Sequence, residues 1–133
     1  MIRLFSRMGR DTRGATTVEM AFALPVLIIV MIGILQFGMI LQASGAMRHG
    51  IGEGLRTAKV DATASSTTIE NKIKKQLRGI NQNGIKKVAF TRGTEGGADY
   101  GEARIEYTMQ PVIPFAALPE IKLTESRRVW LPS

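Results

Sequence analysis

The feature that most constrains this chain is a run of apolar residues near its N-terminus. Residues 20–41 read MAFALPVLIIVMIGILQFGMIL, in which Gln36 is the single polar side chain. As an α-helix this run rises about 33 Å, which matches the roughly 30 Å hydrocarbon layer of a bilayer. A helix buried in a soluble core would need more apolar chain around it than the rest of the 133 residues supplies. The run therefore predicts a transmembrane helix.

Positive charge precedes the apolar run. The net charge of the chain is +7, and +3 of it lies in residues 1–14. The cations of this basic leader are Arg3, Arg7, Arg10 and Arg13. Because basic flanks stay in the cytoplasm, we expect a cytoplasmic N-terminus and an exported C-terminal part. A secretory signal has a similar layout, and residues 43–45 (Ala-Ser-Gly) suit its peptidase, so that alternative stays open.

A carboxylate at the start of the apolar run needs a physical cause. Glu19 directly precedes the run, and a charged group is costly in hydrocarbon unless it has a partner. One local cause is a capping box, in which Thr16 caps a helix start and Glu19 reaches back to it. This cap would explain the glutamate but not the glycine and the basic residues that precede it.

The stretch RGATTVEMAFALP resembles the class III leader junction of type IV pilins, and is most similar to that of TadE-like pseudopilins of tight-adherence (Tad or Flp) pili. The family pattern is a basic leader that ends in glycine, a glutamate five residues later and a long apolar helix. By this resemblance, a prepilin peptidase cuts between Gly14 and Ala15, and Glu19 serves assembly. Pro25 within the run also looks TadE-like. Met20 replaces the tyrosine typical of major Flp pilins, which favours a minor subunit.

The resemblance implies a function, partners and a location. It implies a minor pseudopilin that takes part in assembly or initiation of a Tad/Flp type IV pilus for surface adhesion and biofilm formation. The partners would be the prepilin peptidase, other pilins of the system and lipid of the bacterial cytoplasmic membrane, with a single pass and a periplasmic C-terminal domain. In a fibre, the α-amine of Ala15 from the same chain or a neighbour would neutralise Glu19. The alternative is a periplasmic binding module unrelated to pili, which keeps its anchor or is released near Gly45.

Three regions are predicted along the chain. They are a cleaved leader at 1–14, the apolar helix and its extension at 15–60, and a small exported domain at 61–133. Within the helix, Pro25 lacks an amide and clashes with the carbonyl four residues back, so we expect a kink near Ala21.

The exported region is expected to hold one helix and about three strands. An apolar stripe predicts an amphipathic helix at Ile69, Ile73, Leu77 and Ile80. Thr67 and Glu70 have capping-box spacing at its start. Alternating or β-rich residues predict strands at 85–90, 103–109 and 121–131, and the glycine-rich stretch 91–102 predicts a loop. The predicted fold class is therefore α+β and pilin-like, with a small antiparallel sheet after the two helices.

The sequence contains no residue pattern that is typical of a catalytic or metal-binding site. Cysteine is absent and His49 is the only histidine, so thiolate sites and histidine clusters are excluded. Glu95, Asp99 and Glu102 are close in sequence, but their spacing fits no EF-hand and favours a solvated hairpin. The cations around Lys74 lack the aromatic neighbours that stack bases, so a solvated helix face is favoured over a nucleic-acid site. We expect a protein that is not an enzyme and uses no cofactor, metal or nucleic acid.

Overall fold

The described part of the chain, in a computed structural model, is residues 12–114 and 116–132, without the side chains of residues 12, 13 and 15. Two α-helices are followed by two 3-10 turns and three strands. They are α1 (Thr12–Val60), α2 (Ser66–Gln76), the turns Leu77–Gly79 and Gln82–Gly84, β1 (Ile85–Glu95), β2 (Ala98–Met109) and β3 (Ile121–Trp130). The predicted α+β class, with a long apolar N-terminal helix, a short second helix and a three-stranded antiparallel sheet, is confirmed.

The two halves of α1 have different surroundings. Its C-terminal half buries a stripe of side chains at spacings of four and three residues, which keeps them on one helix face. The stripe consists of Ala43, Met47, Ile51, Leu55 and Ala58. Its N-terminal half carries mostly exposed apolar side chains. The helix is continuous on both sides of Pro25, and the bend expected there stays a prediction.

The sheet packs one face against the helices. Its strand order is β1-β2-β3, with both pairs antiparallel and β2 in the centre. Alternate residues of β2, namely Ala103, Ile105 and Tyr107, point into the core and are almost fully buried. Together with the α1 stripe and α2, they close a single hydrophobic core.

The expected loop at 91–102 was wrong, because most of it is strand. β1 and β2 form a hairpin in which Thr91 pairs with Glu102 and Glu95 pairs with Ala98. Only Gly96 and Gly97 make the turn, with φ of 59° and 82°. Two consecutive positive φ values suit the tight turns that match strand twist, and glycine adopts them without strain.

The start of α2 also differs from its prediction. Ser65 caps the helix, and its Oγ accepts a hydrogen bond from the amide of Thr68 at 3.2 Å. The predicted capping box was therefore wrong: Glu70 instead accepts a hydrogen bond from the amide of Phe90 at 3.1 Å, which ties α2 to β1. The apolar stripe was correct for Ile69, Ile73 and Leu77, which are fully buried, and Ile80 packs at the margin of the core.

Small residues let α1 and α2 approach closely. Gly50 and Gly54 are buried against α2, and a Cβ added at Gly54 would lie 2.5 Å from Cγ1 of Ile73. Because Ile73 is itself fully buried, it has little room to move away. The glycine spacing in this part of α1 thus serves packing within the chain.

We expect Gly54→Ala to be less stable than Gly52→Ala by about 1–3 kcal/mol in the free energy of unfolding. Both changes gain the same helix propensity, since both glycines lie inside α1. Only the first meets Ile73, whereas no described atom lies within 4 Å of a Cβ at Gly52. Denaturant unfolding of the detergent-solubilised variants, followed by circular dichroism, measures the difference. Equal stability of the two variants would contradict this packing role.

Candidate functional site

The N-terminal half of α1 is the surface that the described fold leaves uncovered. This helix is long and apolar enough to cross a membrane, and none of its most apolar 18-residue window is buried. Phe22 is 76% exposed and Leu35 is 67% exposed. A continuous apolar surface of this size marks a membrane-binding or protein-binding site. We call residues 16–42 of α1 the uncovered half.

Gly14 lies in the first turns of α1 and is exposed. No described atom comes within 4 Å of a Cβ built on it, so the fold has room for a side chain there. A glycine inside a helix costs about 1 kcal/mol relative to alanine. Among the described residues, packing therefore gives no reason for a glycine at this position.

The other predicted processing residues lie at the limit of the described chain. Arg3, Arg7 and Arg10 are outside the described residues. Arg13 and Ala15 belong to α1 by their backbone, so the predicted cleavage point between Gly14 and Ala15 is within helical chain.

Glu19 is exposed, four residues after Ala15 on α1. This separation is about one helical turn, a rise of roughly 6 Å. Thr16 lies inside α1, because the helix already includes Thr12. The capping box considered for Thr16 and Glu19 is therefore wrong for the uncut chain, in which this stretch is not a helix start.

Gln36 joins the uncovered half to the segment that follows β2. Its side-chain amide donates a hydrogen bond to the carbonyl of Val112, and its Oε1 accepts one from the amide of Val112 at 3.1 Å. The Gln36 residue is only 9% exposed. The one polar side chain of the apolar run thus satisfies both of its polar ends on one backbone unit, as a buried amide requires. Sequence reasoning noticed Gln36 as an interruption but did not find its partner.

An apolar groove lies between α1 and this same segment. It encloses about 290 Å³ and is open to one side. Leu35 and Met39 form its helix wall, and Val112 and Pro114 form the opposite wall. The groove beside the Gln36 contact is therefore lined mainly by apolar side chains.

Ion pairs at the other end of the domain engage two of its acidic residues, Glu95 and Glu102. Arg128 binds Glu95 at 2.6 Å and Glu102 at 3.2 Å, and its guanidinium lies 4.1 Å from the centre of the Tyr100 ring. The hydrogen bond that Arg128 donates to the Glu102 carboxylate raises the pKa of Arg128. Within the described residues, no group of three or more histidines, cysteines or carboxylates is placed to hold a metal. These carboxylates brace the hairpin against β3.

A polar contact also fixes α1 on β3. Glu125 accepts hydrogen bonds from Arg48 at 2.9 Å and from the hydroxyl of Ser44 at 3.2 Å. His49, the neighbour of Arg48, is exposed on α1. Glu125 therefore joins β3 to the first covered turns of α1, just after the end of the uncovered half.

Comparison with known proteins gives a family match over most of the N-terminal helix α1. Residues 14–56 match the family model described as TadE-like protein, which is 43 of the 133 residues. The match starts at Gly14 and includes Glu19 and the whole apolar run. No curated protein and no solved structure matches the chain. The resemblance inferred from the leader junction is confirmed over this helix.

We expect Gln36→Ala to lower the free energy of unfolding by about 1–3 kcal/mol, because it leaves the amide and carbonyl of Val112 without their partner. Gln42→Ala is the matched control. Gln42 is an exposed glutamine on the same helix that donates one hydrogen bond to Gly79 at 3.2 Å. Water replaces that bond, so the control should lose less than about 1 kcal/mol. Thermal unfolding in detergent would refute the role of Gln36 if both variants melted together.

Proposed function

We propose that this chain, a TadE-like protein of the Tad pilus system by its match over residues 14–56, is a minor pseudopilin that takes part in pilus assembly or initiation. The family implies a Tad pilus-associated role, and the apolar helix indicates membrane anchoring. In our proposal the leader is removed by a prepilin peptidase. The mature protein then stays in the cytoplasmic membrane, with its C-terminal domain in the periplasm, until it joins its partner pilins.

The observation that carries the proposal is the uncovered half of α1, which is continuous with the core of the small domain. One end of a single helix offers an apolar surface to lipid or to neighbouring helices, and the other end is covered by α2 and the sheet. Helices in a membrane associate by side-chain packing and by polar contacts rather than by a hydrophobic driving force. The same surface therefore suits storage in the bilayer and packing against other pilin helices.

Leader removal gives a reason for Gly14, whose lack of a side chain no contact in the described residues requires. A peptidase that acts at the membrane edge must accommodate the chain beside the scissile bond, and a glycine gives close backbone access. The cut between Gly14 and Ala15 would also create a cationic α-amine one helical turn before Glu19. A charge that is costly at the membrane edge then gains a partner.

Glu19 is proposed to act in assembly through that amine. In a fibre, the amine of a neighbour can neutralise the carboxylate while the apolar helices pack side by side. Breaking such a partly buried pair by removing one charge costs about 3–5 kcal/mol. The pair would fix the axial position of one subunit relative to the next.

We propose a role in binding rather than in catalysis. The chain has one histidine and no cysteine. Of its acidic hairpin residues, Glu95 and Glu102 are engaged by Arg128, and Asp99 accepts a hydrogen bond from Thr94. Release by a secretory cut near Gly45 is less favourable for this fold. That cut would remove Ala43 from the core and Ser44 from its bond to Glu125.

The processing step predicts that Gly14→Arg keeps its leader. No described atom lies within 4 Å of a Cβ at this exposed position, so we expect the change to act on the peptidase rather than on the packing of the described fold. Gly45→Arg is the control, since Gly45 is also exposed on α1 with no described atom within 4 Å of an added Cβ. N-terminal sequencing should give Ala15 for the wild type and the control, and Met1 for Gly14→Arg. A wild-type start at Ala46 would favour the secretory alternative, and a start at Met1 an uncleaved anchor.

The assembly step predicts that Glu19→Gln inserts and is cleaved normally but does not co-purify with partner pilins or support surface pili. Each 1.4 kcal/mol lost in a contact weakens association about tenfold, so even one lost pair is a large defect. Glu53→Gln is the control, because Glu53 makes only an exposed pair with Arg56 at 3.9 Å. Normal piliation in a strain with wild-type amounts of the Glu19→Gln protein would refute an assembly role for this carboxylate.

A further inference from the structure

The segment between β2 and β3 has the properties of a second membrane contact. Residues 110–119, which we call the proline loop, read QPVIPFAALP and contain no charged side chain. Val112 is 71% exposed and Leu118 is 38% exposed. We propose that the proline loop enters the lipid leaflet next to the small domain, beside the transmembrane helix. This inference rests on the membrane anchoring in the proposed function.

The position of Gln36 places the loop at membrane depth. Gln36 is five residues before Leu41, the end of the apolar run, which corresponds to about 7.5 Å along the helix axis. Because Gln36 binds the backbone of Val112, the loop is held alongside helix that already belongs to the span. A helix with this run centred in a hydrocarbon layer of roughly 30 Å places Gln36 about 8 Å from the midplane. Val112 is then about 7 Å inside the edge of that layer, a depth that the apolar faces of interfacial segments reach.

The backbone of the loop is suited to an environment poor in water. Non-helical chain at membrane depth must have its polar groups satisfied by protein. Three positions in the loop, Pro111, Pro114 and Pro119, have no amide hydrogen to satisfy. The amide of Val112 is bonded to Gln36, and the amide of Ala116 donates to the carbonyl of Ile113 at 3.2 Å.

A side-chain bond closes the loop at its base. The side-chain amide of Gln110 donates to the carbonyl of Leu118 at 3.2 Å. Part of the polar backbone of the loop, at Val112, Ile113, Ala116 and Leu118, is thus satisfied by the loop itself or by Gln36 of α1. The apolar groove between the loop and Leu35 and Met39 encloses about 290 Å³, which is room for part of an acyl chain.

The continuity of the apolar surface from α1 to the proline loop favours lipid as the partner that covers it. The exposed face of the loop adjoins the uncovered half of α1, so one apolar surface runs from the span onto the loop without a charged residue between them. A second copy of this chain could cover the same face, and the experiment below separates that outcome from lipid.

The test uses single cysteines, which the natural chain lacks, each labelled with an environment-sensitive fluorophore. The full-length protein is placed in phosphatidylcholine and phosphatidylglycerol vesicles that contain lipid with a nitroxide on the acyl chain. We expect the label at Val112→Cys to be blue-shifted and quenched several-fold more strongly than the label at Ala98→Cys. Ala98 is the control because it is exposed at the hairpin end of β2, about 37 Å along the strand from Met109.

A third label at Ile29→Cys, in the middle of the uncovered half, distinguishes a failure of membrane anchoring from a failure of the loop contact. If Ile29 is quenched while Val112 behaves like Ala98, the membrane anchor stands and the loop contact is wrong. If Ile29 is not quenched, the anchoring in the proposed function fails and the loop contact fails with it. A Val112 label that is blue-shifted without quenching would assign the face to a second copy and overturn the lipid contact.

Discussion

The rest of this structure depends on one helix having to satisfy two environments. From Ala43 to Ala58 a single stripe of α1 is buried, so this half is amphipathic and needs α2 and the sheet as its cover. From Val18 to Leu41 apolar side chains point in all directions, which only lipid or other apolar helices can cover. The small domain is thus built on the C-terminal turns of the same helix that carries the apolar run, and in the described residues its core includes a face of that helix.

Polar contacts then determine how the domain sits on that helix. Glu125 binds Arg48 and Ser44 on one side, and Gln36 binds Val112 on the side nearer the membrane. The Arg48 pair is largely exposed and contributes little to stability, whereas Gln36 is shielded and its bonds carry more weight. The contact with the greater energy is therefore the one that lies within the apolar run of α1.

Sequence reasoning succeeded where apolar residues recur at a fixed spacing or where a motif has fixed residues at fixed separations. The apolar run predicts the long helix, the spacing of Ile69, Ile73 and Leu77 predicts the buried face of α2, and the junction at Gly14 predicts the TadE-like match. It failed where several residues could do the same job. Any of four serines and threonines at 65–68 could cap α2, and the structure uses Ser65.

Two further features could not be predicted for physical reasons. Glycines at 93, 96, 97 and 101 hid a regular hairpin, because only two of them form the turn and the others make room for aromatic rings. The Gln36 contact joins residues 76 positions apart, and no local pattern specifies which backbone unit a lone buried amide selects. The proposed roles of Gly14 and Glu19 rest on a cut chain and on neighbouring subunits, which a single folded chain does not contain.

The continuity of α1 from Thr12 to Val60 has a mechanical consequence. A domain joined to an apolar helix by a flexible linker can turn freely, but here the apolar turns after Pro25 and the central helix of the domain are continuous helix. A lift or rotation of those turns is therefore passed on to the sheet. A displacement of the helix by one residue along its axis raises the domain by about 1.5 Å, and a quarter turn of the helix turns the exposed hairpin by the same angle.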